Sequence, residues 1–106
     1  MIIVTGGAGF IGSNIAQELS KKHRVVICDN LNNSIKKKNI ALVKGKKTIK
    51  INEIFSFVEK YKKKISAVIH MGAISATDET NLELLLNNNY LYSLKLFNIC
   101  NKHNIK

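Results

Sequence analysis

Apolar residues fall into short blocks whose spacing switches between strand-like and helix-like. Met1 to Val4 is apolar and β-branched and predicts a buried strand; Ile11, Ile15 and Leu19 then recur at helical spacing as far as Lys21-Lys22. Arg24 to Cys28 predicts a second buried strand, closing a βαβ unit. From Asn30 to Lys50 the pattern weakens: Asn32-Asn33-Ser34 reads as loop, Asn39 to Val43 as one helical turn, and Thr48 to Ile51 as a short strand. Ile54, Phe57, Val58 and Tyr61 form an i, i+3, i+4, i+7 stripe, and Lys62-Lys63-Lys64 follow where a helix dipole favours cations. Ile65 to His70 predicts another strand. Leu82, Leu85, Leu86, Tyr90, Leu94, Phe97 and Cys100 predict a long core-packing helix over Glu79 to Lys102. Strands alternating with helices require parallel pairing through right-handed crossovers, so the expected class is α/β, a doubly wound parallel sheet with three or four visible strands.

The glycines sharpen that expectation. Thr5-Gly6-Gly7-Ala8-Gly9-Phe10-Ile11-Gly12 satisfies G-x-G-x-x-G at Gly7, Gly9 and Gly12, and G-x-x-G-x-x-G at Gly6, Gly9 and Gly12. It lies between a predicted strand and a predicted helix. There, glycines permit a tight turn and bring backbone close to a pyrophosphate, which the helix N-terminus attracts. Asp29 ends the second strand about twenty residues on, the distance at which a carboxylate meets an adenosine ribose. Together these point to a Rossmann-like dinucleotide site; the alternative is a glycine turn that merely packs a helix on a sheet, with Asp29 an ordinary turn residue. A second cluster, His70-Met71-Gly72-Ala73-Ile74-Ser75-Ala76-Thr77, closes a later strand, where open sheets bind ligands. A strand histidine is nonetheless more often a packed, hydrogen-bonded residue than a ligand. Lys36-Lys37-Lys38 is by default a solvated charge run, yet it follows Asp29-Asn30 closely enough to reach a phosphate on that ribose. His23 and His103 read as surface residues near helix ends without a role. No grouping has metal or hydrolytic spacing, so neither a metal site nor a catalytic residue is expected.

At 106 residues the chain is expected to form one soluble domain, 1–106, with a core of little margin. Its apolar runs are far shorter than the roughly 20 residues of a membrane span. The start lacks an export signal's basic and apolar regions, which leads us to expect a cytoplasmic protein. Cys28 and Cys100 read as buried reduced thiols. The net charge of +10 looks like that of a nucleic-acid binder, but 16 of the 17 basic residues are lysine. Arginine, the bidentate reader of phosphate and guanine, is nearly absent, so no specific nucleic-acid partner is expected.

Thr5 to Gly12 followed by Asp29-Asn30-Leu31 resembles the extended short-chain dehydrogenase/reductase superfamily of sugar-nucleotide epimerases and dehydratases. The stretch from His70 to Thr77 with Glu79-Thr80, then Asn88-Asn89-Tyr90 and Ser93, resembles the ADP-heptose 6-epimerases of lipopolysaccharide precursor synthesis. This resemblance implies an NADP (or NAD) cofactor. By it, Phe10 and Ile11 meet the pyrophosphate through backbone within the Gly6, Gly7, Gly9, Gly12 turn, Asp29 and Asn30 hold the adenosine ribose, and Lys36 meets a 2′-phosphate. Met71, Gly72, Ala73, Ile74, Ser75 and Asn88 would line the nicotinamide half. It also implies an isomerase reaction in which hydride leaves heptose C6 for the cofactor and returns to the other face.

Two departures from that family stand in the sequence. Lys44 to Ile51, where the superfamily places an acidic residue toward the adenine, contains none, and no Tyr-x-x-x-Lys occurs anywhere. The expectation is therefore a partial NAD(P)-binding Rossmann domain, truncated after the fourth strand and its helix, without a substrate domain and inactive alone. An ADP-heptose-type substrate would require a C-terminal half supplied separately. Ile65 to His70 would be left as an exposed edge open to self-association. The competing readings are a non-catalytic subunit completed by such a half, and a basic module binding anionic surfaces.

Overall fold

In a computed structural model, residues 1–72 and 86–106 are described, with side chains from residue 89 in the second segment. The chain runs through β1 (Ile2–Thr5), α1 (Phe10–Leu19), β2 (Val25–Cys28), α2 (Ser34–Asn39) and β3 (Lys47–Ile49). A 3₁₀ turn at Ile51–Glu53 leads into α3 (Ile54–Tyr61) and β4 (Ala67–His70), and a π-helical segment at Leu86–Leu91 leads into α4 (Tyr92–Lys102). Every residue of β1 and β2 is buried, as strands covered on both faces must be.

The four strands are parallel in the order β3-β2-β1-β4. Ile2 to Thr5 lie in register with Val25 to Cys28 on one side and Ala67 to His70 on the other. Side-chain alternation divides the core into two layers. Ile3, Val26, Cys28 and Ile49 pack with Ile54, Phe57 and Val58 of α3 and Leu96 and Cys100 of α4. Ile2, Val4, Val25 and Ile27 pack with Ala8, Ala16, Ile40 and Val43 on the opposite face. This is the Rossmann-like, doubly wound α/β arrangement the sequence predicts. The crossovers leave β1 in opposite directions, toward β2 and β3 and then back to β4, so a crevice opens between the loops that follow β1 and β4.

The structure corrects several element boundaries. Of Asn32-Asn33-Ser34, read as loop, Ser34 instead opens a helix: the Asn33 side chain accepts from the Lys36 amide at 2.8 Å and caps α2. No periodicity announces α2, because Ile35 on it is 69% exposed and burial falls to Ile40 and Val43 beyond it. The β3 strand begins at Lys47, one residue earlier than expected. On α1 the buried residues are Gly12, Ser13 and Ala16, while Ile11 of the expected stripe is exposed. On α4, Cys100 is buried as expected, but Leu94 and Phe97 of the stripe are exposed and Leu96 takes their place in the core. The part of that predicted helix from residue 79 to 85 lies outside the described residues. The β4 strand is a sheet edge, as expected; on its outer side the Val68 amide donates to the Lys106 carbonyl at 2.7 Å.

Candidate functional site

The crevice beside β1 holds a cavity of about 630 Å³ lined by Gly6, Gly9, Phe10, Ile11, Gly12, Asp29, Lys36, Met71 and Gly72, among others. Most of the residues singled out in the sequence therefore meet in one place. Gly7 is buried beneath the turn, and Asn30 lies beside the cavity and accepts from the Ile51 amide through its side chain at 3.4 Å. Ala73, Ile74 and Ser75, and the side chain of Asn88, lie outside the described residues.

The turn is shaped by backbone crowding. Gly6 has φ +65°, a left-handed conformation that glycine adopts at no steric cost. A Cβ on Gly12 would stand 2.2 Å from the Gly6 carbonyl oxygen, so the first turn of α1 rests on the glycine turn with no room for a side chain. By contrast, a Cβ on Gly9 would meet only the Gly6 carbonyl oxygen, at 3.3 Å. Gly9 caps α1 without a side-chain hydrogen bond. Intrahelical bonding starts with the Ser13 amide donating to the Gly9 carbonyl, which leaves the amides of Phe10, Ile11 and Gly12 without intrahelical acceptors. Phe10 and Ile11 are 79% and 60% exposed at this end of the helix. Uncapped amides at a helix N-terminus favour an anion, and here they border an open crevice.

Asp29 is 6% exposed at the end of β2. Its Oδ2 accepts from the Ala8 amide at 3.1 Å, bracing the glycine turn, and its Oδ1 accepts from Lys36 Nζ at 2.8 Å. Lys36 reaches this position from the capped first turn of α2 and also donates to the Asn30 carbonyl at 3.2 Å. It thus places an ammonium at the crevice. A buried carboxylate with both oxygens engaged by donors satisfies the requirement that a buried charge be paired.

Four lining residues were not marked as ligand contacts by the sequence: Thr5, Cys28, Ile51 and Tyr92. The Tyr92 hydroxyl donates to the Ile51 carbonyl at 3.0 Å, and its ring meets Phe55 edge-on and stacks on His70. Tyr92 thereby closes the floor of the crevice. Burial raises the Cys28 thiol to about 11, against a smaller lowering by its hydrogen bond with Tyr92, so Cys28 is a neutral wall and not a nucleophile. Burial likewise holds the Tyr92 phenol well above its ordinary range. Both cysteines are free and buried, as expected. Among the described residues no His, Cys, Asp and Glu grouping suits a metal.

Residues 2–106 match the NAD dependent epimerase/dehydratase family. This chain belongs to that family. Among curated relatives, the ADP-L-glycero-D-manno-heptose-6-epimerase of Brachyspira hyodysenteriae is 40% identical over 94% of this chain and 33% of its own length. That of Alkalilimnicola ehrlichii is 38% identical over 99% of this chain and 34% of its own length. Among solved structures, a UDP-N-acetylglucosamine 4-epimerase from Methanobrevibacter ruminantium, in complex with UDP-N-acetylmuramic acid, superposes with a TM-score of 0.83. It is 35% identical, with 99% of this chain and 35% of that chain covered. A UDP-glucuronic acid 4-epimerase from Bacillus cereus in complex with NAD gives a TM-score of 0.77 at 29% identity, covering 93% of this chain and 35% of that one. The chain therefore spans about a third of the length of the epimerases it matches. Among the described residues no helix is long and apolar enough to cross a membrane.

Proposed function

We propose that residues 1–106 form the nicotinamide-dinucleotide-binding part of an epimerase acting on an ADP-heptose-type sugar nucleotide, with NADP as the preferred cofactor. The observation that carries this reading is the conjunction of uncapped α1 amides, the buried Asp29 and the Lys36 ammonium around one crevice. The amides of Phe10 and Ile11 hold the pyrophosphate. Asp29 and Asn30 receive the adenosine ribose hydroxyls, and Lys36 turns from Asp29 to a ribose 2′-phosphate. Met71 and Gly72, with Ala73, Ile74, Ser75 and Asn88, border the nicotinamide half. When bound, the nicotinamide supplies reversible hydride acceptance at the sugar carbon.

The residues fit such a group. Gly9 leaves the α1 N-terminus open to a phosphate, and the carboxylate and ammonium offer an acceptor for ribose hydroxyls and a donor for a phosphate within one side-chain length of each other. Proton transfer at the sugar requires a positioned acid/base that the 106 residues do not contain in Tyr-x-x-x-Lys form, so activity depends on further polypeptide. We assign that role to a C-terminal half, covalent or separately supplied; β4, one of the two sheet edges and bonded on its outer side to the Lys106 carbonyl at Val68, is the edge we propose for pairing with it or with a second copy. Titration of the chain with NADPH and NADH, followed by nicotinamide fluorescence, tests the reading. We expect saturable binding below millimolar with NADPH the tighter; a linear response to millimolar with both would remove the function. Addition of the matching C-terminal region of a relative should then restore epimerisation of an ADP-heptose.

A further inference from the structure

Thr5 ends β1 and His70 ends β4, opposite one another in the parallel register. The Thr5 side-chain oxygen is the hub of a small network. It accepts from the Gly72 amide at 3.0 Å and from the Met71 amide at 3.1 Å, the latter shared with the Thr5 carbonyl. It also lies in hydrogen-bond contact with His70 Nδ1, while His70 Nε2 lies 2.7 Å from Ser93 Oγ on α4.

A hydroxyl has one proton and two lone pairs. Two backbone N–H groups occupy the lone pairs of Thr5, so its proton points to His70 Nδ1, which must be the bare, accepting nitrogen. The imidazole proton then sits on Nε2 and is donated to Ser93. An imidazolium, or the Nδ1–H tautomer, would bring a third donor to Thr5 Oγ1 and leave the hydroxyl proton without an acceptor. The chain that Thr5 holds is the one that packs on the glycine turn: a Cβ on Gly6 would stand 2.8 Å from Gly72 Cα, and one on Gly72 would stand 3.1 Å from the Gly6 nitrogen.

We infer that His70 is a positioning residue, a neutral Nε2–H imidazole that fixes the Thr5 hydroxyl as a double acceptor and so latches the Met71–Gly72 backbone against the glycine turn. The latch joins the two loops that border the crevice and ties both to α4 through Ser93. Partial burial lowers the imidazole's proton affinity from its ordinary value, in keeping with the neutral form. The consequence for a bound cofactor rests on the dinucleotide reading above; the latch itself does not.

Two substitutions separate the latch from simple packing. His70→Phe keeps a ring against Tyr92 but offers Thr5 no acceptor. His70→Asn loses the ring but can place an amide oxygen near the site of Nδ1. Long-range ¹H–¹⁵N correlation of the imidazole at pH 7, with amide exchange at Met71 and Gly72, reads the outcome without any ligand. We expect the Nε2–H tautomer in the parent chain, about tenfold faster exchange at Gly72 in His70→Phe, and retained protection in His70→Asn. An imidazolium or Nδ1–H tautomer in the parent chain overturns the inference, as does protection that survives His70→Phe and fails in His70→Asn. NADPH titration of the same variants should follow the exchange data. Absence of binding in the parent chain would count against the dinucleotide reading alone, since tautomer and exchange still decide the latch.

Discussion

The two sides of the crevice are built differently. On the β1–α1–β2 side, backbone meets backbone: Gly12 lies under the Gly6 carbonyl, and Asp29 reaches across 21 positions to brace the Ala8 amide. On the β4 side, polar side chains far apart in sequence do the joining, with Thr5 and His70 separated by 65 positions and His70 and Ser93 by 23. The first construction has no room for a side chain at Gly6, Gly7 or Gly12 and tolerates one only at Gly9. The second rests on a buried hydroxyl and an imidazole that reaches solvent only toward Ser93, so this border of the crevice is held by side-chain hydrogen bonds and the other by backbone packing.

The largest expected effect comes from breaking the backbone-packed side at its tightest point. Gly12→Ala puts a Cβ 2.2 Å from a backbone oxygen that cannot move without distorting the turn, and should cost about 3 kcal/mol or more. Thermal denaturation followed by circular dichroism should show the transition lowered or lost. Gly9→Val sharpens the contrast. Its Cβ meets only one atom, at 3.3 Å, so the fold should survive while the side chain fills the space above the α1 amides. NADPH affinity should fall by about a hundredfold or more, with the melting midpoint within a few degrees of the parent. Equal losses of stability in the two variants would contradict the division.

Asp29→Ala ranks next, because the buried carboxylate serves the turn and the crevice together. The Ala8 amide loses its acceptor and Lys36 its partner, at a cost of about 1–3 kcal/mol in denaturant unfolding. Affinity for NADH should drop about tenfold, from the lost ribose contact. Lys36→Ala removes a partly exposed ammonium but leaves the buried Asp29 carboxylate without its cation, so it should lower stability by about 1–3 kcal/mol, comparable to Asp29→Ala. Its effect on binding should appear as a ratio: NADPH weakened about tenfold and NADH within about twofold, read by the same titration. An unchanged ratio would remove Lys36 from the 2′-phosphate.

The asymmetry also explains which features the sequence discloses. The glycine spacing is legible because its contacts are local and a motif of eight residues between strand and helix carries its own geometry. Asp29, 21 positions from the Ala8 amide it braces, is legible by its place at the end of the second apolar run. The sheet is legible because β1 and β2 are buried on both faces and read as unbroken apolar runs. The α2 helix is not: an asparagine cap starts it, and its apolar Ile35 faces solvent, so periodicity has nothing to report. The same holds in part on α4, where Cys100 of the stripe is buried as expected but Phe97 and Leu94 are exposed and Leu96, outside the stripe, is buried instead. Thr5, Tyr92 and His103 are invisible for a further reason, since their partners lie 41 to 67 positions away. The His103 side chain is only 12% exposed and meets Glu59 of α3 at 2.9 Å, a tie between two helices that a surface reading of this residue does not anticipate.

The smallest effect is a pH dependence, and it again divides the molecule. Partial burial lowers the native proton affinity of His70 from the ordinary 6.5, so the unfolded chain takes up the proton first as the solution is acidified. Stability associated with His70 is therefore fully present above pH 6.5 and declines as the pH falls from there through the lower native value. Glu59 acts in a separate and more acidic window. Its hydrogen bond with His103 leads the causes that hold its carboxyl below the ordinary 4.5, so its contribution is present above pH 4.5 and is lost below it. Urea unfolding of the parent chain and of His70→Asn at closely spaced pH values should show the first decline only in the parent and the second in both. Because His70 is exposed on one side, the first decline should be a small fraction of the total stability. It should be accompanied by faster amide exchange at Gly72 on the β4 side, with exchange at Ser13, where α1 leaves the glycine turn, unchanged over the same interval.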